Sequence, residues 1–147
     1  MVRQRRKRLR RSGIAFAVMF VFINIIAAVH AYKFTHFSKD SAKTHDSGLS
    51  AAQKVALLFT GINNPRPAND RLPQEPYSVV HVKSIVNTEC WYINTEMPAK
   101  GTVILFHGYS SCKSSLLGRA QPFLKAGYNC LLVDFMGSGG SGGTVQR

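Results

Sequence analysis

His107-Gly108, Asp134 and the run Gly137-Ser138-Gly139-Gly140-Ser141-Gly142-Gly143 are the residues whose types and spacing suit chemistry. Residues 139–143 satisfy G-x-S-x-G, the pattern of a nucleophile elbow, in which a strand runs straight into a serine on a sharp turn and a helix runs straight out. Here Met136-Gly137-Ser138 intervenes after the preceding apolar run and only residues 144–147 follow, so Ser141 is not expected to be a nucleophile. Gly137-x-Gly139-x-x-Gly142 also satisfies the dinucleotide fingerprint, whose glycines let backbone N–H groups approach a pyrophosphate at a helix amino terminus. Met136 displaces its first glycine from the strand, and a dinucleotide-binding domain stands as an alternative reading. Ser110, Ser111, Ser114 and Ser115 lack elbow glycines and are read as caps or loop hydrogen-bonders. His107 is read as a turn histidine bonded to the backbone in preference to an acid–base group. Three cysteines, Cys90, Cys112 and Cys130, are too few and too irregularly spaced for a zinc site or a dense disulfide framework. Cys90 and Cys130 read as buried apolar residues, although a single disulfide is permitted outside the cytoplasm. No metal cluster and no cofactor is expected.

These residues need a scaffold, and the second half of the chain supplies one. Residues 78–86 (SVVHVKSIV) alternate as a half-buried strand and 89–94 (ECWYIN) as another, with Asn87-Thr88 as a tight connection, which predicts a hairpin. Residues 102–106 (TVILF) form a continuous apolar run, a strand buried on both faces that ends at His107-Gly108. Ser114 or a neighbouring serine is expected to cap a helix with Leu116, Leu117, Ala120, Phe123 and Leu124 on its core face, bent or split by Pro122 and closed by Gly127. Residues 129–135 (NCLLVDF) are again a strand. The order from residue 102 is therefore strand, helix, strand, a right-handed crossover in a parallel sheet.

The succession GTVILFHGY, KSSLLGRAQPFLKAGYNCLLVDF and MGSGGSGG resembles the amino-terminal half of an α/β-hydrolase domain, in particular the branch of serine aminopeptidases and lysophospholipases. The upstream FTGINNPRP and ECWYIN are compatible with it, and the resemblance covers residues 57–143. It implies an α/β fold: a partial α/β-hydrolase sheet made of an antiparallel hairpin plus a parallel strand-helix-strand unit. It also implies that the backbone N–H of Tyr109 belongs to an oxyanion hole, that His107 and Gly108 shape the turn beneath it, and that Asp134 organises the loop carrying Gly137 and Gly139. Asp134 is not at the family's position for the triad acid. The nucleophile, acid and histidine come later in the family's order, and His30, His36, His45 and His81 all precede the parallel strands, so this chain is expected to be truncated before its triad and inactive. Ester or amide hydrolysis of a small ester, amide or peptide substrate belongs to the complete family, and a non-catalytic anchored fragment or interaction module is the alternative. A half-sheet whose fourth-strand region lacks later neighbours is expected to be marginally stable and prone to aggregate.

The amino-terminal third has a separate logic. The net charge of +12 suggests nucleic acid until it is located: seven of the nineteen basic residues lie in residues 3–11, and without them +12 falls to +5. That remainder does not support a nucleic-acid binder. Residues 13–32 (GIAFAVMFVFINIIAAVHAY) carry no Lys, Arg, Asp or Glu and, at ~1.5 Å per residue, form a helix about as long as a bilayer core is thick. Basic residues before the span predict membrane lipid as a partner, a single pass, a cytoplasmic amino terminus and an extracytoplasmic domain. The competing reading is a cleaved signal peptide ending at Val29-His30-Ala31, disfavoured because the apolar run exceeds the usual signal core of roughly 7 to 15 residues. The expected organisation is a basic segment 1–12, a transmembrane helix 13–32, a polar tether and short helix 33–56, and a truncated α/β-hydrolase domain 57–147. Ser50 should cap that short helix, with Val55, Leu58 and Phe59 on one face and Gly61 as its stop. Four prolines between residues 65 and 76 predict an extended irregular segment.

Overall fold

The structure, a computed structural model, describes residues 2–38 and 48–145. It divides into two compact units, with the boundaries between residues 34 and 35 and between 62 and 63.

In the first unit α1 (Val2–Thr35) is one uninterrupted helix, so the basic segment is helical and continuous with the apolar run. Residues Arg6–Thr35 are long and apolar enough to cross a bilayer, with a mean hydropathy of 2.4 in the richest window. Asn24, one of two strongly polar residues in that run, donates its Nδ2 to the Phe20 carbonyl at 2.8 Å, one turn back. Its amide is thereby partly satisfied inside the helix. The second helix, α2 (Ala51–Thr60), forms as the sequence indicates: the Gln53 N–H donates to Ser50 Oγ and the Ser50 N–H donates to Gln53 Oε1, a reciprocal cap. Gly61 stops it at φ 71, a left-handed backbone that suits glycine, and its N–H donates to the Leu57 carbonyl.

The second unit is a four-stranded mixed sheet: β1 (Tyr77–Lys83), β2 (Asn87–Ile93), β3 (Thr102–Phe106) and β4 (Asn129–Val133), in the order β1-β2-β4-β3. The pairs β1/β2 and β2/β4 are antiparallel and β3/β4 is parallel. The hairpin turn lies at Ser84-Ile85-Val86 instead of Asn87-Thr88, which sit inside β2. A turn at 87–88 would shift the register by an odd number of residues and turn one strand over. The observed pairing sets Tyr77 and Val79 opposite Ile93 and Trp91, with the Tyr77 and Trp91 rings 5.6 Å apart.

A second correction concerns the edges. β4 lies between β2 and β3 with Cys130 and Leu132 fully buried, and β3 is the free edge beside the parallel pair. One face of the sheet is covered by α3 (Leu117–Lys125), whose Ala120 and Leu124 join Leu116, Trp91, Ile93, Cys130 and Leu132 in the core. Phe123, expected in the core stripe, is exposed. The helix is not split at Pro122. It begins as a 3-10 turn (Lys113–Leu116) and changes to α at Leu117, and the amide that Pro122 lacks would have paired with exposed Gly118. Ser114 does not cap it, because the N-cap position is Cys112 and Ser114 Oγ donates to Asp70 Oδ1 at 2.6 Å. The expected polar tether is docked at its start: Phe37 is buried, with its ring 6.0 Å from Tyr109, and His36 and Ser38 bridge to Val145 and Pro65. An aromatic residue inside a polar run is enough to seat that short stretch. Residues 39–47 of the tether lie outside the described residues.

Candidate functional site

Two strand ends and a glycine-rich loop build the site. β3 and β4 run parallel, so their carboxyl ends lie side by side, and residues 107–112 follow one while 134–145 follow the other. His107 joins the two ends. Its Nε2 accepts the Phe135 N–H at 3.0 Å and its Nδ1 faces the Gly108 carbonyl at 2.8 Å, so the neutral ring carries its proton on Nδ1 and donates it there. Both ring nitrogens are engaged by backbone, and the ring, wholly inaccessible to solvent, meets Phe135 edge-on. Tyr109, whose backbone N–H is the expected oxyanion donor, has its hydroxyl accepting from Asn64 Nδ2 at 2.9 Å. Ser110 follows at φ 51, in the left-handed region that L side chains avoid. Strain of this kind costs about 1–2 kcal/mol and is stored where a loop must hold one shape. Ser110→Gly is therefore expected to raise the stability of the second unit by up to about 1 kcal/mol after the entropic cost of glycine, read as a higher urea midpoint.

Asp134 is the hub. It is fully buried, and its carboxylate accepts from the Lys113 N–H (2.7 Å), the Lys113 ammonium, Asn69 Nδ2 (3.0 Å) and the Gly140 N–H (2.9 Å). The Lys113 side chain is itself fully buried; its Nζ also donates to Glu89 Oε1 at 2.7 Å and lies 4.5 Å from the centre of the Trp91 ring. Burial alone would raise the Asp134 pKa. The bonds from the Lys113 side chain, Asn69 and the two backbone N–H groups outweigh it and hold the carboxyl below its ordinary value. A depressed carboxyl stabilises the fold above its unfolded pKa of about 3.9, and that contribution is lost as pH falls through the lower folded value. Stability is thus expected to drop as pH falls below about 4, with the drop diminished in Asp134→Asn.

The loop 137–143 wraps this hub. Gly139 and Gly140 lie so close to Asp134 and Glu89 that a Cβ on either would overlap a carboxylate. The N–H groups of Gly137, Gly139, Gly140 and Gly142 donate to Gly142 O, Pro67 O, Asp134 Oδ2 and Asn87 O. Arg66 gathers the loop's carbonyls, donating to those of Gly139 and Gly143 at 3.2 and 3.0 Å and to that of Ser141. The dinucleotide alternative is corrected here: these four N–H groups are spent inside the protein, and a carboxylate occupies the place a phosphate would need. Ser141 is likewise structural. It is fully buried, and its Oγ accepts the Glu89 N–H and donates to the Asp134 carbonyl, both at 2.8 Å.

The structure therefore brings His107, Gly108, Tyr109, Asp134, Gly137 and Gly139 together at one end of the parallel strands. It adds Lys113, Glu89, Asn69 and Arg66, none of which the sequence analysis selected. The one available signal was a charge inside each of two otherwise uncharged stretches, Lys113 in SSCKSSLL and Glu89 in ECWYI. All three cysteines are free and buried, and burial raises the thiol pKa of Cys90 and Cys130, which keeps both unreactive. Among the described residues no group of three or more His, Cys, Asp or Glu is placed to hold a metal ion.

No protein-family model matches the chain, and no curated protein matches it. Among solved structures it is similar to the Pyrococcus furiosus esterase Pf2001. In one crystal form the likeness is 29% identity over 56% of this chain and 34% of the esterase with a TM-score of 0.45, and in another 28% over 56% and 33% with 0.47. An alpha/beta hydrolase of Penicillium sp. sh18, GrgF, is similar at 25% identity over 46% of this chain and 24% of its own, with a TM-score of 0.39. The chain spans about a third of the length of the esterase it resembles.

Proposed function

We propose that this chain is the scaffold and oxyanion-loop part of a membrane-anchored α/β-hydrolase-like protein of the serine aminopeptidase and lysophospholipase branch, which cleaves a small ester, amide or peptide through an acyl-enzyme. The observation that carries the reading is the loop 107–112, which leaves a parallel strand, holds Ser110 in a strained conformation and is pinned to the end of β4 by His107 and Lys113. In an acyl transfer a serine oxygen adds to the carbonyl carbon, and the electron pair displaced onto the carbonyl oxygen is stabilised by fixed backbone donors. Tyr109 N–H is the donor assigned here, and His107 acts as a positioning residue whose ring nitrogens are both committed to backbone. A partner strand added at the free β3 edge would bring a nucleophile beside this loop.

None of the described serines has an elbow setting, so the proposal assigns the nucleophile to none of them. The separate use of these 147 residues as a non-catalytic anchored module is the second reading, favoured by that same observation. Basic residues ahead of the apolar span support a cytoplasmic amino terminus with the sheet outside. A fluorophosphonate probe and the intact mass of the native protein test the proposal together. A 147-residue chain is expected to remain unlabelled, and a larger native protein is expected to be labelled on a serine outside it. Labelling within residues 1–147 would overturn the assignment, and a native mass of 16.2 kDa would leave the anchored module as the function.

A further inference from the structure

We infer that α2 is a second membrane element, lying at the outer interface of the bilayer beside α1 with Val55, Leu58 and Phe59 in lipid. This rests on the proposal that α1 crosses the membrane. α2 buries none of its residues, and the side chains that form its apolar stripe are open: Val55 is 55% exposed, Leu58 65% and Phe59 50%. A capped amphipathic helix with an uncovered apolar stripe has no reason to be stable in water, because short helices draw their stability from burial of that stripe.

The position of α2 names what covers it. Within the first unit α2 packs on the apolar helix itself: the Phe59 ring lies 6.3 Å from that of Phe22, and the Leu58 carbonyl is 3.0 Å from His30 Nε2. At its end, Gly61 lies close to the side chains of Lys33 and His30, where the span gives way to polar sequence. α2 therefore sits against the outer half of the span, and its open stripe continues the exposed surface of Phe22 and Val29. A surface that is continuous with a lipid-facing one meets the same solvent. Gln53 and Thr60 lie on the opposite side of the helix and Lys54 on its flank, from which its long stem carries the ammonium to the headgroups. An interfacial helix sinks its apolar face about 5–10 Å into the boundary of headgroups and acyl chains.

The test uses the full chain reconstituted in phosphatidylcholine vesicles whose acyl chains are brominated near the headgroup. Phe59→Trp, Thr60→Trp on the opposite face and Phe20→Trp within the span are each compared with the parent, whose single tryptophan, Trp91, supplies the background. The inference expects the added emission of Phe59→Trp to be quenched well beyond that of Thr60→Trp, with Phe20→Trp quenched by bromines placed deeper in the chains. Equal, weak quenching at positions 59 and 60 with Phe20→Trp quenched would overturn the placement of α2 and leave the anchor standing. Blue-shifted but unquenched emission at position 59 would mean that protein covers the stripe, which also overturns it. An unquenched Phe20→Trp would overturn the membrane span and this inference with it.

Discussion

Lys113→Met is expected to destabilise the second unit by about 3–5 kcal/mol, because removing one partner of a buried ion pair leaves the other charge uncompensated. The Lys113 ammonium lies between the carboxylates of Asp134 and Glu89, and its side chain is wholly inaccessible to solvent. Without it two carboxylates face each other across a buried space, and at least one must take up a proton or the cluster must open to water. Net stabilities of small units are only about 5–15 kcal/mol, so the loss is a large part of the whole. The unfolding of the full chain in urea, followed by the fluorescence of Trp91 beneath the ammonium, gives the size of the effect. Neutralising all three groups together, as Lys113→Met, Asp134→Asn and Glu89→Gln, should recover part of what the single change loses, since the penalty comes from the unpaired charges more than from the absent bonds. A single-variant loss under about 1 kcal/mol would show that the cluster is hydrated and slack.

The periodic parts of this fold were open to sequence reasoning and its polar interior was not. Continuous apolar runs and alternation located all four strands, and Ser50 and Gly61 marked the two ends of α2, because those signals are local. The hairpin turn was misplaced by three residues, since two β-branched strands flank a connection without a glycine or proline to fix it. The position of β4 between β2 and β3 depends on where the crossover returns, and nothing local encodes that. His107, Asp134 and the glycines stood out by pattern. Lys113, Glu89, Asn69 and Arg66 did not, because a buried salt bridge joins residues 21 and 24 positions apart whose types, taken singly, are those of an ordinary surface. A lysine one residue after a cysteine at a helix start gives no hint that it will be the largest fully buried side chain among the described residues.

Glycine to alanine is expected to act with opposite signs at two positions in the same unit. Gly118 lies in the first turn of α3, exposed, with nothing near a new Cβ, so Gly118→Ala should add roughly 0.5–1 kcal/mol through the restricted unfolded chain and the better helix propensity. Gly139 has φ 49, and its Cβ would overlap both carboxylate oxygens of Asp134. Neither neighbour has room to give: Asp134 is held by the Lys113 ammonium and three N–H donors, and the Gly139 backbone by Pro67 and Arg66. Gly139→Ala must therefore pull the loop from the hub, and losing the Gly140 and Arg66 bonds along with the added backbone strain gives an expected cost of about 4 kcal/mol. Thermal unfolding of the two variants beside the parent measures both. Because the loss at position 139 arises from a clash with one carboxylate, Asp134→Ala should erase most of the further effect of Gly139→Ala, a coupling that a general intolerance of alanine in the loop would not produce.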